Sequence, residues 1–208
     1  MSNIPRRALI LIDVQNEYFT GGLRIEYPDP VVSLANIERA AAAAQQAGIP
    51  IVVVQHSAPV GYPIFAKGSP GWQLHPSVAA LAASHYVEKR LPSSFAGTDL
   101  GAWLRSQEID TLTVAGYMTH NCNDATIRQA VHEGWAVEYL HDASGSVPYV
   151  NQAGQCSAET IHKTYLVVLQ SFFAAVLATD EWIAGLASGT LPVRDNIYLS
   201  NQRAKASG

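Results

Sequence analysis

The chain has 208 residues, with 13 Lys plus Arg against 17 Asp plus Glu, a formal charge of −4, and 14% charged and 48% hydrophobic residues. Such a length buries roughly 70% of the surface of the unfolded chain in one compact domain, and such a composition excludes a disordered chain. The mildly acidic balance without a Lys/Arg cluster argues against nucleic acid or an anionic membrane as partner. No apolar run approaches the ~20 residues of a bilayer span, and the N-terminus carries no signal-peptide pattern. The expected compartment is therefore cytoplasmic, with Cys122 and Cys156 as reduced thiols.

Taken in order, Ala8–Val14 is a continuous apolar run, the pattern of a strand covered on both faces. A Gly21-Gly22 turn follows. Val31, Leu34, Ile37 and Ala41 then recur at helical spacing, so residues 30–47 are read as a helix that Gly48 stops. Strands are expected at 51–55, 86–88, 111–115, 136–140 and 172–177, a helix where Ala158, Ile161, Tyr165 and Val168 recur, and a short closing helix at 180–186. Residues 58–76 form a long loop rich in glycine and proline, suited to a lid or binding loop that sets specificity. The alternation predicts an α/β domain over residues 1–187 with a mostly parallel sheet and helices on both faces. Residues 188–208 are polar and read as a frayed tail or an arm reaching another subunit.

In such a sheet, function gathers at the C-terminal strand ends. Asp13, Lys89 and Cys122 stand at three of them. Each also has a plainer reading: a strand-end cap for Asp13, a solvated lysine for Lys89, an inert buried thiol for Cys122. Cys122 is placed at a helix start, where free N–H groups and the helix dipole favour a thiolate and could hold an oxyanion. With Lys89 beside it, its pKa is expected below the usual value of about 8.5, a depression that Asp13 would partly cancel.

Three segments carry a resemblance: Leu9-Ile-Leu-Ile-Asp13-Val-Gln-Asn16; Val87-Glu-Lys89 with Ser94-Phe95 and Thr98-Asp-Leu100; and Val114-Ala-Gly-Tyr-Met-Thr119-His-Asn-Cys122 running on to Thr126 and Asp142-Ala143. In order and spacing the chain resembles the isochorismatase-like cysteine hydrolase superfamily over roughly residues 6–187. The resemblance implies a Rossmann-like sheet and a triad of Asp13 as general base, Lys89 as stabilising cation and Cys122 as nucleophile. It also implies a cis peptide at Tyr117-Met118 and an oxyanion hole from the N–H groups of Met118 and Cys122. Tyr18, His56, Phe65, Trp72 and Tyr117 are expected to line the substrate pocket, with His75 and Phe95 as further candidates.

Members that hydrolyse nicotinamide or pyrazinamide carry a metal on an Asp-x-His pair. Here Val54 precedes Gln55-His56, so no metal and no cofactor are expected. The first strand also leads into Val14-Gln-Asn-Glu-Tyr18 rather than a glycine-rich phosphate loop. The expected activity is cleavage of a small amide or imide C–N bond through a thioester. The alternatives are vinyl-ether hydrolysis of the isochorismate type, which needs an acid from Asp13 but no thiol, and a catalytically silent small-molecule binder. Relatives commonly form homo-oligomers, so a dimer or tetramer is expected.

Overall fold

A computed structural model describes residues 4–207. The continuous apolar run forms β1 (Arg7–Ile12), and every one of its residues is buried. Leu9 and Leu11 face one helical layer, and Ala8, Ile10 and Ile12 the other. Burying each of the larger side chains contributes about 1.5–3 kcal/mol, which is why this strand is central. Its neighbours are β2 (Ile51–His56) and β4 (Thr111–Tyr117). Outside them lie β3 (His85–Lys89), β5 (Ala136–Gly145) and β8 (Ala175–Leu177). The order β3-β2-β1-β4-β5-β8 is parallel throughout.

One face is covered by α1 (Pro30–Gln46) and α6 (Thr179–Ser188) through Ile37, Ala40, Ala44 and Trp182. On the other, α3 (Leu100–Ser106) and α4 (Asp124–His132) contribute Leu100, Leu104, Ile127 and Ala130. Pro30 at the first position of α1 and an Asp29 side chain accepting from Val31 N at 2.8 Å explain where that helix starts. A short α2 (Pro76–Ala79) closes the long loop, and α5 (Ala158–Val168) follows the small hairpin β6 (Tyr149–Asn151) and β7 (Gly154–Cys156). Among the described residues, no helix is long and apolar enough to cross a membrane.

Two readings are corrected. Phe172 and Phe173 belong to a π-helical turn, Leu169–Phe173, and the last strand is only Ala175–Leu177. The C-terminal segment is not frayed: Gln170 Nε2 donates to Val193 O at 3.0 Å, Asp195 N to Gln170 O at 3.0 Å, and α7 (Ile197–Ala206) follows. None of the residues of α7 is buried.

Candidate active site

Chain order reverses on either side of β1, whose neighbours are β2 and β4, and that crevice is where ligands settle in open parallel sheets. Asp13 follows β1 directly. Its φ of +52° turns the backbone out of the strand, a conformation Asp adopts more readily than most residues. Lys89 ends β3. Cys122 lies in a π-helical turn, Thr119–Asn123, between β4 and α4. The turn needs Gly116: at φ +108° a Cβ there would come within 2.1 Å of Ile12 O. Backbone N–H groups of Asn121 and Asn123 both donate to Met118 O at 3.1 Å, and Asn123 Nδ2 donates to Gly116 O at 2.8 Å. The Tyr117–Met118 peptide bond is cis.

These elements bring the three residues together. Lys89 Nζ lies 2.7 Å from Asp13 Oδ2 and donates to Cys122 Sγ at 3.2 Å and to His56 Nδ1 at 3.3 Å. Both side chains of the Asp13–Lys89 pair are fully buried. Burial alone would pull Lys89 down, but Asp13 and then Cys122 outweigh it, and its pKa rises. Burial, and next the charge of Asp13, push the Cys122 thiol up to about 12, against the opposing pull of Lys89. That reverses the depressed pKa expected from a helix start: Cys122 is 6% exposed and precedes α4. Burial thus makes the Cys122 thiol harder to ionise than a free cysteine, beside the Asp13–Lys89 pair.

A cavity of about 260 Å³ opens onto Cys122. Of the expected pocket residues, Tyr18, His56 and Phe65 line it. Trp72 and Tyr117 do not. Trp72 Nε1 donates to Ser57 Oγ at 2.7 Å, and its carbonyl accepts from Gln15 and Gln55, which stitches the loop down. Tyr117 is a second layer: its ring centroid is 5.3 Å from that of Tyr18 and its hydroxyl is 2.8 Å from Ser33 Oγ. Phe95 stacks on Trp135 at 5.1 Å, and His75 caps α2 by accepting from Ser77 N at 3.3 Å. Sequence reasoning missed Tyr62, Ile64 and Asn121 as lining residues. Asn121 adjoins Cys122, so its place beside the candidate nucleophile was the available signal.

Larger cavities of about 430 and 390 Å³ border the segment around Pro192, but neither is lined by a cysteine or histidine. Around His56, Nδ1 faces the Lys89 ammonium, Val54 supplies no carboxylate, and His75 is occupied at the start of α2. Among the described residues, no three His, Cys, Asp or Glu side chains converge as ligands. Burial, then the charge of Lys89, lowers the His56 pKa, in keeping with a neutral ring that accepts from Lys89.

The Isochorismatase domain family matches residues 7–181. A crystal structure of an isochorismatase-type protein from Burkholderia xenovorans LB400 is 63% identical, with a TM-score of 0.97 over 99% of each chain. The nicotinamidase of Escherichia coli K12 is 29% identical over 69% of this chain and 85% of its own length. A ureidoacrylate amidohydrolase of Methylobacterium radiotolerans is 26% identical over 86% of this chain and 76% of its own length.

Proposed function

The chain belongs to the isochorismatase family, and from that premise we propose that it is a cysteine hydrolase cleaving the C–N bond of a small amide or imide through a thioester on Cys122. The observation that carries this reading is the Asp13–Lys89–Cys122 contact set, with distances of 2.7 and 3.2 Å from one ammonium nitrogen. The names of two relatives, a nicotinamidase and a ureidoacrylate amidohydrolase, support amide hydrolysis as the reaction class.

A neutral thiol is a poor nucleophile, so attack needs a base at the moment of reaction. In the proposed first step the Cys122 S–H proton moves to the Asp13 carboxylate while Sγ bonds to the substrate carbonyl carbon. Lys89, already within 3.2 Å of Sγ, then faces the transferred negative charge instead of Asp13. The buried net charge is unchanged throughout, which avoids the cost of an unpaired ion. The carbonyl oxygen becomes an oxyanion, received by the N–H groups of Met118 and Cys122. Its collapse breaks the C–N bond, and the proton on Asp13 goes to the departing nitrogen. Water, deprotonated by Asp13, attacks the thioester, and the acid leaves with the thiol restored.

Ammonia or amine release from a panel of small amides tests the activity. Early quenching should leave a mass increase equal to the acyl group on the Cys122 peptide. If the Cys122→Ala variant retains near-full activity, the thioester is wrong and an Asp13-centred acid mechanism of the vinyl-ether type replaces it.

A further inference from the structure

The cavity on Cys122 shares one lining residue with a neighbouring cavity. A second cavity of about 510 Å³ lies under the β6–β7 hairpin, and Asn121 lines both. Its walls include His120, Tyr149, Asn151, Gln155 and Tyr165. Among the described residues, no Asp, Glu, Lys or Arg lines either cavity. Asp13 and Lys89 lie beneath the first one, fully buried and spent on each other. At about 260 Å³ the cavity on Cys122 is smaller than the ~300–1,000 Å³ typical of ligand sites, whereas the second falls within that range.

We propose that the substrate is an uncharged amide long enough to span both cavities, with its reacting carbonyl at Cys122 and its far end beyond Asn121 against the His120–Tyr149 wall. This rests on the amidase reading above and narrows its substrate class. The far wall is built for neutral polar or aromatic groups. His120 Nδ1 is 3.1 Å from Ser146 Oγ and its Nε2 is 2.9 Å from Tyr149 Oη, so both ring nitrogens are engaged. The rings of His120 and Tyr149 meet edge to face at 5.0 Å. Burial lowers the His120 pKa to about 4 and raises that of Tyr149, which keeps both groups uncharged near neutrality. Asn151 Oδ1 accepts from Ala153 N at 2.9 Å and steadies the hairpin turn, while Gln155 is exposed on the cavity wall. A carboxylate at the far end would find no cation among the lining residues, a mismatch that polar sites punish more heavily than a missing methylene.

The test uses the whole protein and three alkylating amides: chloroacetamide, its N-(2-phenylethyl) derivative, and that derivative carrying a para-carboxylate. In each reaction Sγ bonds to the CH₂ carbon, chloride leaves, and the thiol proton goes to the medium. Modification of Cys122 is followed by peptide mass spectrometry, with free glutathione as the reference for intrinsic reactivity and Cys156, which itself lines the second cavity, recorded separately. We expect the neutral phenylethyl probe to exceed chloroacetamide by about 10-fold or more, and the carboxylate to cut the rate by about 10- to 100-fold. In Gln155→Arg, the carboxylated probe should regain about 10-fold relative to the neutral one. Equal rates for all three probes, or an unchanged ratio in Gln155→Arg, would overturn the two-cavity substrate while leaving the nucleophile in place. Failure of every probe at Cys122 while free glutathione reacts would instead remove the amidase reading itself.

Discussion

Two buried ion pairs sit at opposite ends of β1, and they are built differently. At its start, Arg7 grips Glu138 with Nε 3.0 Å from both carboxylate oxygens and Nη2 2.7 Å from Oε1. Glu138 Oε2 also accepts from Thr113 Oγ1 and Trp182 Nε1, each at 2.8 Å. Past the end of the strand, Asp13 has Lys89 alone, and its Oδ1 has no hydrogen-bond partner among the described residues. The first carboxylate is saturated with donors. The second is a fully buried carboxylate near a thiol, with no hydrogen-bond donor aligned on it among the described residues. Saturation makes a clamp between strands; its omission suits the base proposed for Asp13.

The largest effect should come from removing the thiol at the unsaturated end. Cys122→Ala leaves both ion pairs whole, so hydrolysis should fall by about 10⁴-fold or more, while the urea midpoint stays near that of the parent chain. A variant that loses its fold along with activity would show that Cys122 is part of the packing rather than the chemistry.

Next in size are the pairs themselves. Breaking a buried pair by deleting one partner typically costs about 3–5 kcal/mol. Arg7→Met should show that loss in denaturant unfolding and leave kcat of the folded fraction unchanged. Lys89→Met should lose kcat as well, because Asp13 and the thiolate both depend on it. The contrast breaks down if Arg7→Met impairs kcat as severely as Lys89→Met, since the clamp would then shape the site across the whole strand.

Asp13, Lys89 and Cys122 were legible in the sequence because strand ends are marked by where apolar runs stop, and parallel sheets gather chemistry there. What stayed hidden depends on burial or on partners without apolar signal. The β6–β7 hairpin is largely exposed and has no alternation to read. Helix α7 buries nothing and so shows no period. Strand β5 runs on through His141–Gly145, which look like loop residues but pair with β4 after a register shift past Val114. Phe172 and Phe173 are as apolar in a π turn as in a strand. The direction of the Cys122 pKa went wrong for one reason: a helix-start argument presumes some access to water, and depth of burial is a property of the fold.

The smallest expected effect concerns acid, and it separates the two ends once more. Behind the Cys122 turn, His162 is 1% exposed and its Nδ1 is 2.8 Å from Thr119 Oγ1, which in turn donates to Gly145 O at 3.1 Å. Burial lowers the His162 pKa to about 4, and burial does the same for His120 on the far side of the turn. A histidine held neutral in the fold but free to charge when unfolded draws protons towards the unfolded state. Its stability contribution is therefore complete above the unfolded pKa of about 6.5 and is lost as pH falls towards 4. For His162 the loss has an upper bound of about 3 kcal/mol. Among the described residues, no histidine is hydrogen-bonded to the Arg7–Glu138 clamp, so acid should loosen the Cys122 end first. His162→Asn keeps a polar atom for Thr119 without a titrating ring. Urea midpoints measured from pH 7 down to pH 4.5 should fall less steeply in that variant than in the parent, and parallel curves would show that the buried ring is not what acid attacks.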